Sequence, residues 1–224
     1  MEEGLIYAIL ALGVLITYRI LDFPDLTVDS SFPLGAAVSA ILTVNGMHPV
    51  LTLLMATLAG AAAGLVTGLI HVKCKVRDLL SGIIMMTALW TINLRVAGTA
   101  NVPLFSQKTI FKNDTLDKLL PSGFSAYSTL LIILIIALIV KIILDLYLNT
   151  KSGYLLRAVG DNDKLVTAMA KDEGNVKILG LAIANGLCSL AGCIFCQEER
   201  VFEISSGTGA MVIGLASVII GTSI

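Results

Sequence analysis

Apolar residues run along this chain in long unbroken stretches rather than alternating with polar ones. A helix needs about 20 apolar residues to cross the hydrocarbon core of a bilayer. Gly4–Tyr18 is uncharged and continues to Leu21 past a single Arg19. Phe32–Met47 is shorter and opens on Phe32-Pro33. Val50–Ile70 is uncharged throughout, and Leu79–Leu94 is short and ends at Arg95. Ser128–Val140 is the greasiest run and extends to Leu148 through Lys141 and Asp145. Ile178–Gln197 and Ile204–Ile224 close the series. Continuous runs argue against a strand barrel, whose segments alternate. The expected fold is all-α: a polytopic transmembrane helical bundle of about seven apolar segments forming a single domain over residues 1–224.

Small residues recur every fourth position on several runs. Val50–Ile70 carries Ala56, Gly60, Gly64 and Gly68, and Ile178–Gln197 carries Gly180, Ala184, Cys188, Gly192 and Cys196. In lipid such rows let helix backbones approach closely. They fit packing within one bundle or a seam between two copies, with the former the simpler expectation.

Composition sharpens the class. Hydrophobic residues make up 56% of the chain and charged ones 14%, against about 25% charged in a soluble domain. The net charge of −1 offers no basic field for nucleic acid. The acidic start Met1-Glu2-Glu3 lacks the basic region of a signal peptide, so the first run is expected to stay as a span. Basic residues set orientation. The loop after Ile70 carries Lys73, Lys75 and Arg77; the segment 149–177 carries Lys151, Arg157, Lys164, Lys171 and Lys177. Both are expected in the cytoplasm, with Gly98–Tyr127 and the amino terminus outside.

Chemistry is sparse. Cys193 and Cys196 have CxxC spacing within an uncharged run, where thiols pack as small hydrophobes, so free thiols and no metal are expected. No GxxxxGK[ST], HExxH or GxSxG run occurs. The chain is therefore not expected to hydrolyse ATP or to be an enzyme. Polar residues interrupt the apolar pattern at Leu21–Ser31, which holds Asp22, Asp25 and Asp29 beside Pro24 and no positive charge. Two readings fit: a short acidic loop, or a broken second helix whose unwound backbone lines a protein-enclosed cavity. Asp25, Thr27, Asp29 and Ser30 are candidate substrate-pathway residues. The two acids could orient an amino group or cap the broken helix, the second being preferred. Trp90 and Asn93 are weaker candidates, because a tryptophan near a span end usually anchors at the interface. His48 and His71 read as interfacial, and Lys141 as snorkelling or pairing with Asp145.

The segment 149–177 is too polar to insert and reads as a cytoplasmic coupling loop. Gly160-Asp161-Asn162 can turn, and Asp161 or Asn162 can cap a short helix with Leu165, Ala168 and Met169 on one face. Such a helix with an apolar strip is a docking element for a partner or headgroups.

These residues bring in a resemblance. Arg157-Ala158-Val159-Gly160-Asp161-Asn162, the Asp25-Leu26-Thr27-Val28-Asp29-Ser30 run and Met211–Gly221 lie in the order found in permeases of branched-chain amino acid and ribose ABC importers. The chain most resembles the short bacterial permeases associated with tryptophan or tyrosine uptake. The resemblance implies a multi-pass permease subunit of the bacterial cytoplasmic membrane that moves a small solute inward, an amino acid with the aromatic ones as candidates. A sugar or nucleoside importer, or an ion-coupled secondary transporter, is the alternative. It implies a homodimer, two ATPase subunits that carry ATP and magnesium, and an extracytoplasmic substrate-binding protein; no cofactor is implied on this chain. Arg157, Gly160, Asp161, Asn162, Leu165, Ala168 and Met169 would form the coupling helix. The sequence departs from relatives after Met169, with Ala170-Lys171-Asp172-Glu173-Gly174 in place of a Gly-Ile/Val pair, and relatives continue with further spans beyond the point matching Ile224, so a shortened carboxy terminus is expected.

Overall fold

The computed structural model describes residues 1–111, 128–161 and 173–223. Eight α-helices are present among them: α1 (Glu2–Val14), α2 (Val28–Val44), α3 (Pro49–Cys74), α4 (Asp78–Ala97), α5 (Ser128–Leu148), α6 (Lys151–Asp161), α7 (Glu173–Glu199) and α8 (Ala210–Ser223). Six segments are long and apolar enough to cross a membrane, and α2 is a shorter apolar helix. The expected all-α bundle and its seven apolar segments are thus present.

Local chemistry sets the ends of these helices. His48 caps α3 through Nδ1, which accepts the Val50 N–H at 3.3 Å, and Pro49 follows at the first turn, where its missing N–H costs nothing. Gly98, at φ +77°, closes α4 with its N–H on the Leu94 carbonyl. The first span does not run straight. Beyond Val14 it widens into a π-helix, Leu15–Ile20, and Thr17 Oγ1 donates back to the Val14 carbonyl at 3.1 Å. Asp22, at φ +53°, then reverses the chain into an elbow that ends at Thr27.

The bundle is built round α7. Two thirds (67%) of its apolar window is buried, against 17% for α5, which keeps most of its surface for lipid. Small residues on three helices let α7 come close. On α3, added methyl groups at Gly60, Gly64 and Gly68 would strike Ser189 and Asn185, Leu181 and Ala182, and Ile178 in turn. This descending order is an antiparallel ladder. Gly13 of α1 faces Cys188 and Ala184, Gly35 of α2 faces Ser189, and Gly192 of α7 faces the Phe32 carbonyl. These rows are therefore consumed inside one chain, as the simpler expectation had it. Apolar clusters fill the remaining spaces: Ile6, Leu10, Val14, Phe32, Ile133 and Ile194 toward one end, and Ile16, Leu21, Leu144, Leu156 and Leu181 toward the other.

Two details differ from the sequence reading. Helix α2 starts at Val28, four residues before Phe32, so Pro33 sits inside it. The proline leaves the Asp29 carbonyl without its helical donor, and Gly207 packs directly over that carbonyl. A two-stranded antiparallel ribbon also joins Asn101–Pro103 (β1) to Val201–Glu203 (β2), with Val102 opposite Phe202.

Candidate functional site: the elbow and its polar core

The elbow folds into the protein rather than out into solvent. Asp25 is 1% exposed, and Thr27, Ser30 and Ser31 are buried. One carboxylate oxygen of Asp25 accepts the Thr27 N–H at 2.9 Å, an Asx-turn that holds the bend. The other accepts from Asn185 Nδ2 at 2.7 Å. Asn185 Oδ1 in turn accepts from Ser31 Oγ at 2.7 Å, and its Nδ2 also donates to the Leu181 carbonyl at 3.1 Å. Thr27 Oγ1 meets Thr67 Oγ1 of α3 at 3.2 Å. From α4, Gly82 leaves room for the elbow: a methyl group there would come within 2.9 Å of the Leu26 nitrogen. Asn185 is near the middle of α7, about 18 Å along the axis from Glu173 at the helical rise per residue. The elbow therefore reaches the centre of the bundle, which excludes an exposed surface loop.

Asp29 does something else. Its Oδ1 accepts the Met211 N–H at 2.7 Å, and Gly209 also bonds to it through its backbone. It therefore caps α8, a helix 182 residues further on, instead of the broken helix to which its sequence position assigned it. The reason is the Gly207–Gly209 turn, which lays the start of α8 against the first turn of α2. Asp29→Ala is expected to destabilise the protein by about 1 kcal/mol, the usual cost of a lost helix cap, read as a lower midpoint of thermal aggregation in detergent. Asp29→Asn should recover most of that loss.

The other candidates divide. Ser30 Oγ donates to the Met86 carbonyl at 2.9 Å, and Asn93 Nδ2 donates to the Ser30 carbonyl at 3.0 Å, so both tie α2 to α4. Asn93 Oδ1 is buried without a partner among the described residues. Trp90 lies on the exposed face of α4 (41%) and is not gathered into this cluster. His71 packs edge-on against Phe23 of the elbow, ring centroids 5.1 Å apart. Cys193 and Cys196 are buried free thiols.

Sequence reasoning missed a second set of polar residues. Gln197 Nε2 donates to Thr52 Oγ1 at 2.7 Å and to Ser39 Oγ at 3.3 Å, while its Oε1 accepts the Ile110 N–H at 3.0 Å. Ser189 Oγ donates to the Ala56 carbonyl at 2.7 Å. The signal was present: Asn185, Ser189, Cys193 and Gln197 fall every fourth residue, as do Ser31, Gly35, Ser39 and Thr43 on α2. Two rows at one spacing on neighbouring helices form a polar seam.

At the far end of the elbow stands α6. Gly153, Leu156 and Val159 are its buried face. Gly160 packs directly on the Ile20 carbonyl, and a methyl group there would lie 3.2 Å from Leu21 Cα. Leu156 and Leu21 both cover Gly180 of α7. Lys151, Tyr154, Arg157 and Asp161 point outward. Gly160 and Asp161, expected to open a turn with Asn162, are instead helical residues of α6. The residues before it bury a stripe at helical spacing, which carries the helix through the glycine. Asn162, Leu165, Ala168 and Met169 lie outside the described residues.

A helical bundle with six segments able to cross a membrane, gathered round a buried polar seam, is the architecture of a multi-pass membrane protein. The chain belongs to the family described as branched-chain amino acid transport system / permease component, whose pattern it matches over residues 2–223. It is 44% identical to a tyrosine transport system permease protein of Clostridioides difficile (strain R20291), over all of this chain and 72% of that protein. It is 30% identical to a probable branched-chain amino acid transport permease protein of Methanocaldococcus jannaschii, over 95% of this chain and 70% of the relative. Identity to the ribose import permease protein of Escherichia coli K12 is 25%, over 99% and 67%. No solved structure matches. The chain is thus the multi-pass permease component of an ATP-binding-cassette importer and an inner-membrane protein.

Proposed function

We propose that this permease imports an amino acid, with tyrosine or another aromatic amino acid the first candidate, and that it works as a homodimer. Two ATPase subunits bind its cytoplasmic face and hold the ATP and magnesium, while an extracytoplasmic binding protein delivers the solute. The relative at 44% identity supports the substrate, since it is a tyrosine transport system permease protein. In this reading the amino terminus is outside. It shares an end of the bundle with the ribbon and with Glu198, which lies close enough to Glu2 and Glu3 to interact electrostatically. The opposite end carries α6.

The observation that carries the reading is the two-sided nature of α6. One face is seated on the elbow; the other presents Lys151, Tyr154, Arg157 and Asp161. A short helix with a buried seat and a free charged face is suited to pass a partner's movement inward. The stretch from Arg157 through Met169 serves as the coupling segment, and Asp25, Thr27, Asp29, Ser30 and Asn93 flank the solute pathway.

Double charge reversal, Arg157→Glu with Asp161→Lys, tests it. ATPase co-purification is expected to fall about tenfold or more, because reversed charges meet the same partner surface. Membrane insertion should not change. Undiminished co-purification would remove α6 from the docking surface. Uptake of labelled tyrosine by vesicles should require ATP and survive dissipation of ion gradients; uptake that collapses with the gradients would instead support an ion-coupled carrier.

A further inference from the structure

We propose that Asn185 is a positioning residue for the transport step, a latch that holds the elbow at the centre of the bundle and must release when α6 moves. The proposal rests on the importer reading above.

Asn185 is completely buried and ties the elbow to the helix that follows it. Its amide nitrogen holds Asp25, within the elbow, and its oxygen holds Ser31, in the first turn of α2. Asp25 forms no ion pair with a described residue; its partners are all neutral, the N–H and hydroxyl of Thr27 and the Asn185 amide. A carboxylate held at membrane depth by so few neutral donors depends strongly on each of them. Such an arrangement has few intermediate positions: the elbow is either docked on Asn185 or it must find other partners. That is the bistability a two-state transporter needs.

The mechanical connection is continuous. Gly160 of α6 rests on Ile20, Leu21 rests on Gly180 of α7, and four residues later Asp25 is bound to Asn185. Ile20 is the last residue of the π-helix, and a left-handed residue, Asp22, stands between it and Asp25. Over- or under-wound turns of this kind rearrange more readily than regular helix. A displacement of α6 can thus shift the short stretch from Leu21 to Asp25, and load the Asp25–Asn185 bond, without moving α1 as a whole. Both oxygens of Asp25 are occupied, so Asp25 orients the elbow and does not contact solute in this state.

Hydrogen exchange on the purified complex of the full chain with its ATPase tests this. In the wild type, amides of residues 22–27 should exchange at least about tenfold faster when the ATPase is trapped with ATP and vanadate, since the Thr27 N–H loses its acceptor. In Asn185→Ala they should be fast with or without nucleotide. Tyrosine turnover should fall about tenfold at an unchanged KM. Asn185→Asp combined with Asp25→Asn exchanges donor and acceptor across the same bond and should restore slow exchange and most of the turnover, whereas each single change should not. A change acting through volume alone would show no such rescue. If the ATPase co-purifies and hydrolyses ATP but residues 22–27 do not respond, the latch is overturned and the importer reading stands. If no ATPase co-purifies, both fall. A double variant no better than the singles also overturns the latch.

Discussion

Gly64→Val is expected to remove most of the folded protein: recovery of monodisperse chain from membranes should drop about tenfold, and what survives should aggregate at a lower temperature. A first added carbon at this position would strike the Leu181 carbonyl and come within 2.9 Å of Ala182 Cα. Both are backbone atoms of α7, so no side chain can turn aside, and the helices must separate. Separation also opens the flanking contacts of Gly60 and Gly68 on the same ladder. Overpacking typically costs about 1–3 kcal/mol, and a helix pair joined backbone to backbone lies at the upper end of that range. Gly221→Val is the matching control, because nothing lies within 4 Å of that position. Equal recovery of the two variants would mean that the α3–α7 ladder is not a principal contact of the bundle.

That ladder was half legible in the sequence. The four-residue spacing of Ala56, Gly60, Gly64 and Gly68 shows that a backbone can approach, but not which one. Distinguishing a seam within the chain from a seam between copies needs the partner row on α7, and that row mixes Leu181, Asn185 and Ser189 rather than glycines alone. The spans themselves were legible because a long apolar run has one economical fate in lipid. The elbow was legible as an interruption, but its depth was not. Asp25 reaches the centre only because Asn185 receives it, and a lone asparagine in an apolar run looks like a tolerated exception. Seen together, Asn185, Ser189, Cys193 and Gln197 form a stripe that argues for a buried polar seam. Asp29 shows the limit of local reasoning. Its place at a helix start suggested a local cap, whereas its partner lies 182 residues away, set by a glycine turn whose position only the tertiary fold decides.

Gly160→Leu is expected to abolish uptake while leaving an inserted, folded permease. The site differs from Gly64 in what surrounds it. Helix α6 is short and amphipathic, and it packs on the end of the bundle through Gly153, Leu156 and Val159 without entering the seam round α7. A leucine side chain at position 160 would meet the Ile20 carbonyl and Leu21, so α6 must lift away from the elbow by an ångström or more. That movement loosens the Leu156 end of the cluster with Ile16, Leu21, Leu144 and Leu181 but leaves the clusters joining α1, α2, α3 and α7 elsewhere untouched, so the fold should survive it. Transmission should not: a misplacement of about 1 Å in a coupled site can cost on the order of a hundredfold in rate. Gly160→Ala should fall between, since its single methyl group still meets the Ile20 carbonyl but needs a smaller shift. The measurement is ATP-driven tyrosine uptake per ATPase retained, which separates a permease that has lost its motor from one that has lost only the linkage. Retained ATPase with uptake reduced on the order of a hundredfold places the defect in the α6–elbow contact. Uptake within twofold of the wild type would mean that movement reaches the bundle by a route that bypasses Ile20 and Leu21.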